Sequence, residues 1–162
     1  MSADPSTVVI RHATPADIPG VLRCLAQAFE PYRTLYTREA YEDTTLTAES
    51  AERRLRVMTV LVALDPGGSI LGTIAHEMTH AGDGHVRGMA VDPGKLGSGL
   101  AARLLEAAEG ELRAGGCRRV TLDTTEPLQR AIRFYTRCGF RPTGTVKDFF
   151  GMPLFEYAKE LA

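Results

Sequence analysis

The sequence predicts a single domain, residues 1–162, of mixed α/β class with a central mixed sheet of about seven strands flanked by about four helices. The 162 residues are 44% hydrophobic and 24% charged, which suits one domain with its own core. In the first half, short apolar runs joined by Gly-rich turns indicate antiparallel strands. In the second half, strand-like and helix-like segments alternate.

The first half is predicted to hold a strand, two helices and an antiparallel meander. The strand covers residues 8–12, and apolar side chains at helical spacing from Ile18 to Phe29 predict a helix that starts near Thr14. A polar stretch with three tyrosines separates this helix from a second one at about 48–58. Three apolar runs joined by the turns DPGG and AGDG form the meander, at residues 59–64, 69–78 and 85–91.

The second half is predicted to continue as helix, strand, helix and two strands. A stripe of Leu and Ala predicts a helix that begins near Leu100 and ends at Gly115 and Gly116. The segments that follow are a buried strand, an amphipathic helix and two final strands, at residues 117–125, 128–138, 140–146 and 153–161. A homodimer that pairs this last strand across two copies is one expectation.

Charge and composition exclude several classes of partner. The formal net charge is −1, from 19 Lys and Arg against 20 Asp and Glu, and no basic patch indicates a nucleic-acid partner. The apolar runs are too short for a membrane helix, and the N-terminal sequence MSADPSTVV lacks the features of a signal peptide. We therefore expect a soluble, cytoplasmic protein. Three cysteines, odd in number and far apart, indicate neither a disulfide framework nor a zinc site.

His76 and His80 are four residues apart, a spacing that on a helix would allow both to bind one metal ion. The segment SILGTIAHEMTH is instead predicted as a strand. On a strand the two histidines share a face but lie about 13 Å apart, too far for one metal ion. No metal site is therefore expected.

The strongest chemical signal is the Gly-rich loop within VDPGKLGSGLAARLL, residues 91–105. Glycine at a helix start costs roughly 0.5–1 kcal/mol relative to alanine, so Gly97 and Gly99 need a reason. Glycine permits φ > 0 and lets an anion approach the orphan N–H groups of the first helical turn. The loop therefore predicts a phosphate or pyrophosphate cradle, with Lys95 and Arg103 nearby. An ordinary strand-to-helix turn that needs glycines is the alternative.

Two known phosphate-binding patterns fit this loop less well. GSGLAA matches the dinucleotide pattern G-x-G-x-x-A, and Asp123 lies at the end of the next strand. Only 39 residues follow Asp123, however, too few to complete a doubly wound sheet. A Walker loop is excluded because no Gly-Lys-Ser/Thr sequence follows.

Two linked motifs carry a resemblance to a known family. The segment VRGMAVDPGKLGSGLAARLLEAAEGELRAGG, followed by VTLDTTEPLQRAIRFYTRCGF, resembles the coenzyme A half of the GNAT superfamily of acetyltransferases. The resemblance implies the GNAT-like fold over nearly the whole chain, with strands 4 and 5 parallel and splayed. It also implies an acceptor-side segment at about 14–58 and an acyl-CoA-binding core at about 85–140.

The resemblance assigns a set of residues that bind the cosubstrate acetyl-CoA. The pantetheine arm is expected on the free backbone groups of Met89 and Val91, where Gly88 eases the separation of the strands. Leu128 stands where the family often has Asn. The loop that holds the pyrophosphate through its amides consists of Leu96, Gly97, Ser98, Gly99, Leu100 and Ala101. Leu96 replaces the Gln or Arg of the family, so Lys95 is the expected source of positive charge.

The resemblance also implies a general acid. Ala131, Tyr135, Gly139 and Phe140 match the family's A-x-x-x-Y-x-x-x-G-F motif, in which the tyrosine protonates the departing CoA thiolate. A phenol with a pKa of about 10 is protonated at neutral pH and can donate its proton. Tyr135 is therefore the expected catalytic acid.

His85 is the expected general base, since it stands six residues before Val91, where the family often has Glu. A neutral imidazole can accept the proton of the attacking amine. Glu77 on the neighbouring strand and a water chain are the alternatives. Strand alternation would place His85, Arg87, Met89 and Val91 on one side of their strand.

The function implied by the resemblance is transfer of an acetyl group from acetyl-CoA to a primary amine of a small-molecule acceptor by direct attack. The acceptor is expected to lie near aromatic and charged residues of the N-terminal segment and the final hairpin: Tyr32, Arg33, Tyr36, Arg38, Glu39, Tyr41, Asp43, Phe149 and Phe150. A non-catalytic acyl-CoA-binding sensor is the alternative, since Leu96 and Leu128 depart from the family pattern.

Overall fold

A computed structural model describes residues 7–79 and 82–161, which form a seven-stranded sheet with helices on both faces. The strand order is β1-β2-β3-β4-β5-β7-β6, and only the β4–β5 pair is parallel. The strands are β1 Val9–His12, β2 Thr59–Leu64, β3 Ile70–Met78, β4 Gly84–Val91, β5 Arg119–Thr124, β6 Arg141–Phe149 and β7 Met152–Glu160. The predicted antiparallel first half is therefore confirmed.

Strands β4 and β5 separate shortly after they meet. Their parallel pairing covers only Gly84 with Val120, His85 with Thr121, and the next pair. Beyond it, β4 continues for five residues to Val91 with β3 as its neighbour on one side, while β5 pairs with β7. The predicted splay of strands 4 and 5 is confirmed, and it opens a cleft whose wall is the backbone of β4.

A β-bulge interrupts β4 within this splayed part. Ala75 of β3 pairs with Arg87, whereas Thr73 pairs with Ala90, so two steps on β3 match three on β4. Gly88, inside the bulge, has φ +63°, a left-handed conformation that glycine adopts without steric cost. The extra residue therefore bends β4 at the point where it leaves β5.

The bulge also reverses which side chains share a face. Val91 joins the core beneath the helix that follows it, whereas Arg87 reaches Asp43 on the opposite side of the sheet. The expectation that His85, Arg87, Met89 and Val91 alternate regularly onto one side is wrong. An extra residue in a strand inverts the alternation beyond it, and the sequence carries little sign of this except Gly88.

Five helices cover the two faces of the sheet: α1 Ile18–Phe29, α2 Arg38–Thr45, α3 Ala48–Val57, α4 Leu100–Ala114 and α5 Gln129–Arg137. Helices α4 and α5 pack on one face around Leu104, Phe140 and Val86, and α1 packs on the other against Val62 and Ala90. Helices α2 and α3 lie beside α1. The cleft between β4 and β5 therefore faces helices α4 and α5 on one side of the sheet and helices α1, α2 and α3 on the other.

Two predicted details are corrected by the fold. The tyrosine-rich stretch contains helix α2, which begins at the N-cap Thr37 and had no apolar stripe to indicate it. Strand β7 lies between β5 and β6 and is paired on both sides, so it offers no edge for a second copy. Pairing through β7 is therefore wrong as a route to a dimer. Across the described ranges, no helix is long and apolar enough to span a membrane.

Candidate active site

The Gly-rich loop has the conformation that the sequence predicts for an anion cradle. Gly97 and Gly99 have φ +80° and +85°, and Gly99 is the N-cap of α4. A Cβ at either glycine would meet no heavy atom within 4 Å, so the space beside the loop is open. The amides of Gly97, Gly99, Leu100 and Ala101 have no hydrogen-bond partner in the part of the chain described. Free donors at a helix N-terminus suit a pyrophosphate.

The cations near the loop differ in availability. Lys95 precedes the loop, and within residues 7–79 and 82–161 its amino group has no partner. The guanidinium of Arg103 instead donates to the carbonyl of Val8 at 3.0 Å, which holds it against β1. Leu96 is 48% exposed and supplies no polar group. Lys95 is therefore the cation that can approach a bound phosphate.

Tyr135 lies beside the splayed strand. Helix α5 places its hydroxyl 3.6 Å from the Met89 sulfur, to which it donates, and its ring packs against Phe134 and Phe140 with centroids 5.4 and 5.8 Å apart. Burial raises the pKa of Tyr135 above its usual value, so the phenol keeps its proton throughout the neutral range. The residue named as acid and the strand named for pantetheine therefore meet in the fold.

Thr124 contributes a buried hydroxyl that lacks a partner. It is the last residue of β5, beside the cleft, and it is 3% exposed. Its Oγ1 has no hydrogen bond among the residues described. Leaving a buried hydroxyl unpaired costs about 1–3 kcal/mol, so such a group calls for an explanation. A ligand with polar groups that lies in the cleft between β4 and β5 could form a hydrogen bond with this hydroxyl. Acetyl-CoA is such a ligand.

His85 lies on the opposite face, between β4 and β5. Its Nδ1 is 2.8 Å from the Thr121 hydroxyl, and its Nε2 is 3.8 Å from a carboxylate oxygen of Asp123. The Thr121 hydroxyl donates to the Gly84 carbonyl at 3.5 Å, so it can accept a hydrogen bond from a protonated Nδ1, a tautomer in which Nε2 carries no proton. Burial lowers the pKa of His85, against the opposing effect of Asp123. The imidazole is therefore neutral at pH 7 and able to accept a proton.

Charged residues surround His85 on this face. Glu77 is directly opposite it on β3, and Lys147 of β6 reaches Asp123 at 3.4 Å. Arg87 contacts Asp43 of α2 at 3.3 Å. This face of the sheet therefore carries both paired and unpaired charges near the cleft.

The aromatic residues predicted near the acceptor pack largely on one another. Tyr32 and Tyr36 each contact Phe29 edge-on at 6.4 Å, and Tyr41 contacts Tyr36 at the same distance. The Tyr36 hydroxyl shares a hydrogen bond of 2.6 Å with Thr125, just beyond β5. These rings therefore form one cluster that is tied to the end of the cleft.

The remaining predicted residues take positions around this cluster. Thr37 at the start of α2 donates to the carbonyl of Phe150, which fastens the β6–β7 hairpin tip to this side. Phe149 and Phe150 contact each other at the tip with centroids 5.3 Å apart. Arg33 lies over the Tyr41 ring at 5.5 Å, and Arg38 forms an exposed pair with Glu42. Glu39 lies on the exposed side of α2.

Of the two histidines considered for a metal site, the structure describes His76. His76 lies on β3 with its Nε2 3.1 Å from Glu111, whose carboxylate also contacts His12 at 2.8 Å. His80 lies outside the described residues. Within the described ranges, no group of three or more His, Cys, Asp or Glu side chains has a geometry that could hold a metal ion.

Sequence reasoning missed three residues of the site, Thr121, Asp123 and Thr124. All three occur in VTLDTT, which is predicted as a buried strand. A signal was present, since polar residues in a buried strand need hydrogen-bond partners or a ligand. The Thr121 hydroxyl and the Asp123 carboxylate face His85, and the Thr124 hydroxyl is buried without a partner at the end of the same strand.

Comparisons with known proteins agree with this geometry. The sequence profile of the acetyltransferase (GNAT) family matches residues 22–140. A glucosamine 6-phosphate N-acetyltransferase of Trypanosoma brucei brucei is 33% identical over 95 residues, 55% of this chain and 63% of that protein's length. The chain thus spans less than two thirds of this curated relative.

Solved structures share the fold at low sequence identity. An acetyltransferase of the GNAT family from Staphylococcus aureus superposes with a TM-score of 0.78 at 18% identity, covering 96% of this chain and 99% of that one. The PaiA N-acetyltransferase of Thermoplasma acidophilum, in complex with coenzyme A, gives a TM-score of 0.78 at 18% identity, covering 94% of this chain and 98% of that one. Since the family profile covers most of the chain, this protein belongs to the GNAT acetyltransferase family.

Proposed function

We propose that this protein transfers an acetyl group from acetyl-CoA to the primary amine of a small molecule, with Tyr135 as general acid and His85 as general base. The observation that carries the proposal is the contact of the Tyr135 hydroxyl with Met89, at the point where β4 has lost its parallel neighbour. That contact lies between the Gly-rich loop and the charged face around His85. Membership in the GNAT family supports the same reaction.

The chain provides a continuous path of groups for the cosubstrate. The open amides from Gly97 to Ala101 and the amino group of Lys95 bind the pyrophosphate. The free backbone of Met89 and Val91 and the Thr124 hydroxyl hold the pantetheine arm in the cleft. When bound, acetyl-CoA supplies an activated acetyl thioester.

Tyr135 and His85 act from opposite faces of the sheet. Tyr135 remains protonated because burial raises the pKa of its phenol, and its proton turns from Met89 to the sulfur that leaves. His85 Nε2 removes a proton from the attacking amine, directly or through a water, and Asp123 stabilises the resulting imidazolium.

Thiol release from acetyl-CoA over a panel of primary amines tests the proposal. The panel includes glucosamine 6-phosphate, because the Trypanosoma brucei brucei relative is named for it. We expect at least one amine to accelerate thiol release and to gain one acetyl group by mass spectrometry. Binding of acetyl-CoA without release for every amine contradicts transfer and favours the acyl-CoA sensor.

A further inference from the structure

Arg54 places a guanidinium without a partner at the bulge of β4. It lies on α3, and a Cβ at Gly88 would come within 2.5 Å of its Nη1, so the glycine makes room for it against the strand backbone. Across residues 7–79 and 82–161, the Arg54 side chain forms no hydrogen bond or ion pair. A guanidinium held against backbone in this way has five N–H donors to satisfy.

The charge of Arg54 is poorly compensated. Burial and, to a smaller extent, the positive charge of Arg87 lower the pKa of its guanidinium to about 10, against the opposing effects of Asp43 and Glu77. Asp43 is itself engaged by Arg87 at 3.3 Å. A partly buried arginine without a bound counter-charge is costly, so its presence points to an anion that arrives from outside.

The apolar surroundings of Arg54 do not explain its charge. Its side chain closes a cavity of about 20 Å³ between the sheet and helices α1 and α3, large enough for one water and too small for an acceptor. Two threonines also line the cavity, and both hydroxyls are satisfied: Thr73 donates to Leu61, and Thr14 to Asp17. The cavity lining therefore offers no unpaired hydroxyl to the guanidinium.

The position of Arg54 relates the anion to the reaction. Gly88 is adjacent to Met89, which contacts the Tyr135 hydroxyl, so the guanidinium borders the cleft on the face that also carries His85 and Glu77. Glu77 has no hydrogen-bond or ion-pair partner in the described part of the chain. One face thus presents an unpaired cation and an unpaired anion, an arrangement complementary to an amine that also bears an acidic group.

Resting on the proposed function, we infer that the acceptor is an anionic amine whose carboxylate or phosphate group is bound by the fork of Arg54, while its amine faces His85. Carboxylate and phosphate share the oxygen geometry that a guanidinium binds in a bidentate way. Arg54 is therefore a specificity-determining residue, and neutral amines of the same shape leave its charge unpaired.

Matched pairs of amines test this assignment. Each pair shares the amine and differs in the acidic group: glucosamine 6-phosphate with glucosamine, phosphoethanolamine with ethanolamine, and alanine with alaninamide. We expect the anionic member of at least one pair to have a kcat/KM about 100-fold higher than its neutral partner. The phosphate and carboxylate pairs distinguish the two sources of the anion. Equal values within every pair overturn the assignment.

Substitutions separate recognition from folding and from the acetyl transfer itself. Arg54→Met should abolish the preference for the anionic amine by raising its KM, while Arg54→Lys retains part of that preference. Arg53→Met is the matched control, since Arg53 is exposed on the same helix.

Calorimetry of the preferred anionic amine with CoA-loaded protein gives a readout without turnover. Binding that Arg54→Met removes supports the assignment even if no amine is acetylated, and that result contradicts only the proposed function. Failure of every anionic amine to bind, or equal binding to Arg54→Met, overturns it.

Discussion

The two sides of the cleft between β4 and β5 are built in different ways. On the proposed cosubstrate side, the groups come from one continuous stretch, residues 89–101, together with Tyr135 and Thr124. On the proposed acceptor side they come from α2, α3, three strands and the β6–β7 hairpin tip. The first side depends on local backbone conformation, whereas the second depends on long-range contacts. Changes on the acceptor side should therefore alter selectivity without altering affinity for acetyl-CoA.

The largest effect is expected from a charge placed in the loop. Gly99→Asp puts a carboxylate at the site proposed for the pyrophosphate, and we expect calorimetry with CoA to show no binding. The free protein should fold, because a Cβ at Gly99 meets no atom within 4 Å and aspartate tolerates φ > 0 better than most residues.

Two controls isolate the charge from the backbone effect. Gly99→Asn has the same shape and backbone requirement without the charge, so it should retain part of the affinity. Gly116→Asp introduces the same side chain at φ +94°, beyond the other end of α4, and should bind CoA normally. Normal CoA binding by Gly99→Asp would show that the loop is only a turn.

The next largest effect should come from the acid. Tyr135→Phe removes the hydroxyl that contacts Met89 while keeping the ring packed against Phe134 and Phe140. We expect kcat to fall by about 10²- to 10⁴-fold with the Kd for CoA close to the wild-type value. Steady-state thiol release and calorimetry measure the two quantities. Unchanged kcat removes the acid role from Tyr135.

The same division explains what the sequence could predict. The φ of Gly97 and Gly99, the strand ends and helices α1, α3, α4 and α5 follow from local patterns, and the structure agrees closely with them. The splay of β4 and β5 was expected only through the family resemblance, and the contact of Tyr135 with Met89 was not predicted. Local signals therefore specified the loop and the elements, and the resemblance supplied the separation of the two strands.

The acceptor side was predicted less well, for physical reasons. Helix α2 is stabilised by its cap at Thr37 and by contacts with the distant hairpin, so no apolar stripe marks it. The bulge at Gly88 changes the faces of β4, which no alternation pattern can foresee. The roles proposed for Asp123 and Arg54 depend on contacts between strands and helices that are far apart in sequence, so local patterns do not reveal them.

The pH dependence tests the base on the acceptor side. Burial lowers the pKa of His85 below its usual 6.5, so kcat at saturating acceptor should stay high at pH 6.5 and fall only under more acidic conditions. Asp123 and Glu77 raise that pKa, while Arg87 and Lys147 lower it. His85→Gln should lower kcat by about 10- to 100-fold and abolish this acidic limb. A limb that persists in His85→Gln assigns the base to Glu77 or water.

The lowered pKa of His85 also predicts that the stability of the substrate-free protein depends on pH. The folded His85 has a lower pKa than the unfolded chain, so the unfolded state binds more protons as the pH falls below 6.5. The free energy of unfolding should decrease from pH 6.5 down to the folded pKa, and His85→Gln should flatten this decrease.

Asp123→Asn should move the acidic limb of kcat to still lower pH, since it removes the charge that stabilises the imidazolium.

The smallest predicted effect tests whether the Thr124 hydroxyl binds acetyl-CoA or stabilises the fold, because the two roles predict stability changes of opposite sign on its removal. Thr124→Val removes the unpaired hydroxyl, so the free protein should become more stable by about 1 kcal/mol in denaturant titrations. The Kd for acetyl-CoA should nevertheless rise about fivefold, because one hydrogen bond to the bound chain is lost. Thr73→Val is the matched control: its hydroxyl is paired with Leu61, and its removal should destabilise the fold without changing CoA affinity. Thr124→Val with unchanged CoA affinity would place the cosubstrate elsewhere than beside the end of β5.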